Sequence, residues 1–296
     1  MNFRSDLALE RREYIKEKEI DGVISKEETV DGINITTIEV INENGEKILG
    51  KPKGKYITVE AEEFIKNPDI SGNCVKVLSQ IISQLLPKNG SVLVAGLGNE
   101  SITSDALGPK SVSLLLATRH ISKELAESVG LTNLRSAAGI CPGVLGKTGI
   151  ETAEIIDGVV KKVKPSAVIA IDALAARKLS RLGNTVQMCD TGISPGSGVG
   201  NTRNEISERT LGVPVIAIGV PTVVDGTTMA LDLLEKHGID TSFSENGEKL
   251  SDEKTVMVTP KEIDLVIERA AQLVAMGINC ALQKDMDAED ILKIVK

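Results

Sequence analysis

PSAVIAIDALAAR, residues 165–177, is the stretch on which the fold turns. Ala167 to Ile171 run without a polar break and then meet Asp172. A short unbroken aliphatic run is what a strand buried on both faces requires. SVLVAG (91–96), TVQMC (185–189) and VPVIAIGV (213–220) are runs of the same kind. Helix-like stretches at 105–118, 151–163 and 227–237 separate them. This alternation predicts an α/β fold: a mainly parallel central sheet flanked by helices.

Upstream the pattern changes. INITTIEVI (33–41) and KYITVE (55–60) alternate apolar and polar residues, with Gly45, Gly50 and Gly54 between. Residues 21–60 therefore read as an N-terminal antiparallel β-hairpin region with one wet face. Val75, Leu78, Ile82, Leu85 and Leu86 are spaced for a helix over 72–87. Thr259-Pro260 predicts the start of a long helix over 260–277, with Thr259 as N-cap. Residues 240–254 read as a polar surface loop, and residues 1–20 as a charged arm or first helix.

Composition narrows the function. There is no Trp, and only two Tyr and three Phe, so the core is aliphatic and base-stacking platforms are absent. The net charge of −8 opposes direct nucleic-acid binding. No apolar run reaches the length of a membrane span, and the charged N-terminus lacks a signal-peptide core. Cys74, Cys141, Cys189 and Cys280 share no metal or redox spacing. Cys74, Cys189 and Cys280 read as buried free thiols. These features predict a cytoplasmic protein.

In open α/β sheets the site forms beyond the carboxyl ends of the strands. Four aspartates follow the apolar runs. Asp105 lies in GLGNESITSDALGP (96–109), where its plain role is an N-cap. Asp172 ends AVIAI, with Arg177 as the simplest salt-bridge partner. Asp190 opens Asp190-Thr191-Gly192 and the glycine-rich stretch ISPGSGVGN, which includes Gly196 and Gly198. Those glycines leave backbone N–H groups free to hold a peptide or an oxyanion. Asp225 precedes Gly226, an ordinary turn pair. Gly96, Gly98 and Asn99 form a tight turn, but Ser101 stands where a dinucleotide fingerprint needs its third glycine. A nucleotide or small-ligand binding module is therefore the weaker, non-enzymatic reading. His120 and His237 follow no strand and belong to no H-E-x-x-H, so triads and His-based zinc sites lack their ligand. Paired carboxylates remain: two held close cannot both ionise, which yields a base for water and an acid for the leaving group.

GLGN-x4-SDALGP, SAAGICPGVLGKTGIETAEII, PSAVIAIDALAAR, DTGISPGSGVGN, GVPVIAIGVPTVVD and VMVTPKEID together resemble the germination protease, or spore protease, family of spore-forming bacteria. The resemblance runs from about Phe3 to Ala281. It implies a self-processing, aspartic-type endopeptidase of the spore core that degrades small acid-soluble spore proteins, needs no cofactor, and assembles as a homotetramer. It implies catalytic roles for Asp105 and Asp172. It also implies a propeptide, residues 1–6, removed between Asp6 and Leu7 in FRSDLALE, where Asp6 precedes Leu7, Ala8 and Glu10. Residues 7–296 are then one α/β peptidase domain, with core sheet and helices over 88–281. Gly96, Gly98, Asn99, Arg177, Asp190, Thr191, Gly192, Gly196 and Gly198 are the supporting or substrate-binding candidates. Arg177, Arg203 and Lys147 are candidate readers of an acidic substrate side chain. The GLGN turn also resembles hydrogenase-maturation peptidases, which share this kind of fold and hold a metal with carboxylates and a His. That keeps a metal-dependent peptidase as the alternative, while no metal ligand is assigned here.

Overall fold

The alternation over 21–60 forms three antiparallel strands, β1 (Val23–Val30), β2 (Ile33–Val40) and β3 (Gly54–Glu60). The computed structural model describes residues 4–15, 19–69, 72–128, 131, 133–200, 203–239 and 256–295. The loop expected at 240–254 lies outside these residues. The aliphatic runs become β4 (Val92–Gly96), β6 (Ala167–Ala176), β7 (Thr185–Cys189) and β8 (Val215–Asp225). Two short strands escape the pattern, β5 (Ala137–Ile140) and β9 (Met257–Val258).

All nine join one sheet in the order β1-β2-β3-β7-β8-β6-β4-β5, with β9 on β8. The sheet is mixed, not mainly parallel. Parallel pairing is confined to β5-β4-β6-β8. β7 runs antiparallel to both β8 and β3, and so fuses the N-terminal hairpins to the parallel half. An apolar run fits either direction, because a strand covered on both faces is aliphatic whichever way it points.

Helices cover both faces. Asn73–Leu85 and Ile263–Leu282 pack together on one, over Val94, Ile169, Ile171, Met188 and Ile218. They approach closely at Gly277, where an added Cβ would lie 3.0 Å from Leu78 Cβ. Leu78 and Ile82 are fully buried there, each worth about 1.5–3 kcal/mol relative to exposure. Ile263–Leu282 is long and apolar enough to cross a membrane, which the run-length reading missed, but most of it is buried in this core. Its N-cap is Glu262, not Thr259. Thr152–Val163 covers the other face over Leu93, Ala170 and Val215. Helix Ala8–Tyr14 lies on that same side against Ile38, Tyr56 and Ala217.

Candidate active site

The loop after β4 and the strand β6 itself bring two carboxylates to one cavity. β4 stops at Gly96, whose missing side chain lets the Gly108 carbonyl approach: a Cβ would sit 2.3 Å from it. Gly98 then takes φ +102°, which disfavours any side chain, and a Cβ there would lie 2.1 Å from the Asp105 carbonyl oxygen. The turn so formed aims the Asn99 N–H at Asp105 Oδ2, 2.8 Å away. Asp105 ends a 3-10 turn, Thr103–Asp105, and the helix begins only at Leu107, after Ala106. The N-cap role is therefore not what holds Asp105; its carboxylate is taken by the preceding turn.

Asp172 does not end its strand. β6 continues to Ala176, because β8 pairs with it along that length. The register slips by one between Leu174 and Ala175, and Thr222 of β8 falls in the slip. Its hydroxyl donates to the Ser104 carbonyl at 2.7 Å and ties β8 to the Asp105 turn. Such irregularities re-aim side chains next to sites. Asp172 is 6% exposed and accepts a hydrogen bond from the Ala173 N–H at 2.9 Å.

Asp105 and Asp172 line one cavity of about 570 Å³ with Asp6, Gly98, Asn99, Gly196 and Arg203. Burial raises the Asp172 pKa well above the ordinary carboxylate value, and the nearby Asp105 and Asp6 carboxylates raise it further. Burial also raises Asp105, opposed by the Asn99 N–H. A desolvated carboxyl beside another carboxylate retains its proton where an exposed one would lose it.

The N-terminal segment enters this site. The Asp6 N–H donates to the Ala175 carbonyl at 2.9 Å, and Asp6 Oδ2 accepts from the Ala175 N–H at 2.9 Å. Ser197 Oγ donates to Asp6 Oδ1 at 2.8 Å. Gly198 is required by this contact, since a Cβ would sit 2.1 Å from Asp6 Oδ2. Leu7 is fully buried in a cluster with Leu174, Ala176, Leu182 and Val224. Glu10 is buried as well: it accepts from the N–H groups of Arg177 and Lys178 at 2.6 and 2.9 Å and from Ser5 Oγ. A second cavity, of about 240 Å³, adjoins the first at Asp6 and contains Lys51, Gln187, Thr191, Gly192 and Ser197.

Several expectations change place. Arg177 does not pair with Asp172; it pairs with Asp232 at 3.6 Å and with Glu235, and stacks on Tyr14. It lines neither cavity. Lys147 bonds to Ser101 Oγ. Arg203 alone of the three proposed cationic readers lines the larger cavity. Asp190 accepts from the Lys55 N–H at 2.8 Å, which pins the start of β3. Asp225 is the N-cap of helix Gly226–Lys236, accepting from the Thr228 N–H at 2.9 Å. Both histidines are exposed, and His237 caps that helix's end. Cys74 and Cys189 are buried, Cys280 half-buried and Cys141 exposed. Among the described residues no three His, Cys, Asp or Glu side chains converge as a metal site. Sequence reasoning missed Lys51, Gln187, Ser197 and the Ala175 peptide. Lys51 sits in a glycine-flanked turn, and Gln187 is the polar residue at the centre of TVQMC; that interruption was the available signal.

Known proteins align with this chain over its length. A family model described as germination protease matches residues 4–237. A germination protease of Caldanaerobacter subterraneus subsp. tengcongensis is 48% identical over 100% of this chain and 98% of its own. One from Clostridium perfringens is 42% identical over 99% of both chains. One from Priestia megaterium is 41% identical over 97% of this chain and 95% of its own. Among solved structures, a [NiFe] hydrogenase maturation protease, HycI, from Thermococcus kodakarensis aligns at 16% identity with TM-score 0.34, covering 67% of this chain and 98% of that one.

Proposed function

We propose a function from the premise that this chain belongs to the germination protease family and is a peptidase. It is an aspartic-type endopeptidase in which Asp105 and Asp172 share one proton. It removes its own residues 1–6 by cutting between Asp6 and Leu7, and then degrades small acid-soluble spore proteins in the spore core as a homotetramer. The observation that carries the mechanism is the single cavity holding both aspartates, with Asp172 pushed towards its protonated form by burial and then by the Asp105 carboxylate.

The chemistry follows from that pairing. The ionised carboxylate takes a proton from water as the water oxygen bonds to the peptide carbon. The carbonyl electron pair moves onto its oxygen. The oxyanion's electron pair then re-forms the C=O bond as the C–N bond breaks; the C–N pair goes to the leaving nitrogen, which takes a proton from the protonated carboxyl. A carboxylic acid and an amine result.

The test uses Asp105→Asn and Asp172→Asn separately. Each is expected to lower cleavage of a purified small acid-soluble spore protein by at least about 100-fold, in the range of lost acid–base catalysis. Undiminished cleavage by either variant would remove that residue from the mechanism. Light scattering on the purified protein checks the tetramer.

A further inference from the structure

Gln187 brackets one peptide bond of this chain. Its Nε2 donates to the Asp6 carbonyl at 3.1 Å, and its Oε1 accepts from the Ala8 N–H at 2.7 Å. The Asp6–Leu7 bond lies between these contacts. The Asp6 carbonyl oxygen has a second side-chain donor, Lys51 Nζ, at 2.8 Å. A main-chain carbonyl with both lone pairs taken by side chains, one of them a lysine whose pKa burial lowers and the Asp6 carboxylate raises back, is not part of any strand ladder or helix here. The donors are spent on one particular oxygen. The Asp6 carboxylate is gripped separately, by Ser197 Oγ and the Ala175 N–H, in a space that only a glycine at 198 leaves open.

The sheet register places this grip on the same face of the sheet as Asp172, two strands away. Gln187 of β7 and Asp172 of β6 both pair with Gly219 of β8. Directly opposed residues share a face, so both side chains rise from the same side of the sheet. Gly219 adds no side chain of its own between them, and the space over it is taken by Leu174.

We propose that Lys51 and Gln187 are the carbonyl-binding pair of the active site, and that Ser197 with the Ala175 N–H is the subsite for the acidic residue on the N-terminal side of the cut bond. This deepens the endopeptidase reading and rests on it. As water adds to the Asp6 carbon, the electron pair displaced from the C=O bond collects on the oxygen held by Lys51 and Gln187. Fixed donors at a developing oxyanion lower the barrier because they need no reorganisation. Residues 4–10 then lie in the site as its first substrate. Departure of residues 1–6 after cutting empties the acidic subsite for a side chain of the same charge on a protein substrate.

The full-length chain tests this by the appearance of a Leu7 N-terminus in intact-mass spectra, and by kcat and KM on a synthetic peptide copying residues 1–14. Lys51→Met and the near-isosteric Gln187→Glu, which accepts but does not donate, are each expected to lower kcat by about 100-fold or more with KM little changed. Ser197→Ala is expected to act differently: it shrinks the preference for Asp6 over a chain carrying Asp6→Asn. Thermal melts of each variant exclude misfolding, and Gln187→Glu keeps the test valid if Lys51→Met does not fold. Cleavage that survives Lys51→Met and Gln187→Glu but fails in Asp172→Asn overturns the carbonyl grip and leaves the aspartate reading intact. Cleavage that fails in both donor variants but survives Asp172→Asn supports the grip and sinks the aspartate reading. A wild-type chain that never yields a Leu7 terminus overturns the carbonyl grip and the self-processing reading, while cleavage of the spore protein still decides the aspartates.

Discussion

Asp172 of β6 and Gln187 of β7 stand in one row of the sheet, with Gly219 of β8 between them. Two strand spacings separate their backbones, about 10 Å. Over the glycine, the Leu174 side chain fills the gap: a Cβ on Gly219 would lie 2.5 Å from Leu174 Cγ and 2.9 Å from the Asp172 carbonyl. Gly219→Val is therefore expected to displace Leu174 into the space Leu7 occupies, costing about 1–3 kcal/mol through overpacking. Cleavage should fall further than stability does. A melting temperature and activity both equal to wild type would show that the row has room to spare.

The raised Asp172 pKa makes stability depend on pH in a definite direction. A buried carboxyl whose folded pKa lies above its unfolded value favours folding fully below the unfolded value, 3.8, and loses that contribution as pH rises through the folded value. Asp172→Asn cannot ionise. Its melting temperature should match wild type below pH 3.8 and exceed it progressively at neutral pH and above. A difference that is flat with pH would mean that Asp172 carries no ionisation penalty.

Gly98→Ala should disable the Asp105 arm. The added Cβ would meet the Asp105 carbonyl at 2.1 Å in a backbone already at φ +102°. Relief requires moving the turn that supplies the Asn99 N–H to Asp105. The expected result is destabilisation of about 1–3 kcal/mol in a denaturant titration, with loss of activity on every substrate. Full activity in the variant would mean that the turn does not position the carboxylate.

Glu10→Ala tests how the N-terminal helix is docked. Removing this carboxylate leaves the N–H groups of Arg177 and Lys178 without their acceptor, at a cost of about 1–3 kcal/mol for an unsatisfied buried group. Amide exchange in Ala8–Tyr14 should quicken, while exchange in β6 before Asp172 should not. Unchanged exchange in the helix would show that Leu7 burial alone holds it.

How much of this was written in the chain is clearest at single elements. TVQMC was readable as a strand to the residue because burial on both faces leaves a short, largely apolar run, and Thr152–Val163 as a helix because burial on a period of 3.6 leaves a local trace. The aspartates were readable as candidates because charge beside an aliphatic run is costly without a purpose. Family resemblance, rather than position, separated Asp105 and Asp172 from Asp190 and Asp225. Tertiary structure then decided what no local pattern encodes. Strand direction was one such matter: β7 runs antiparallel, and a side chain buried on both faces is equally content either way. Pairing length was another, since β6 continues past Asp172 only because β8 lies beside it. Partnership was the third. Arg177 is five residues from Asp172 yet bonds to Asp232 and Glu235, whereas Lys51 and Gln187, 136 positions apart in the numbering, meet on one carbonyl oxygen. Contacts of that kind depend on the register of a whole sheet, and register is a property of the assembled strands.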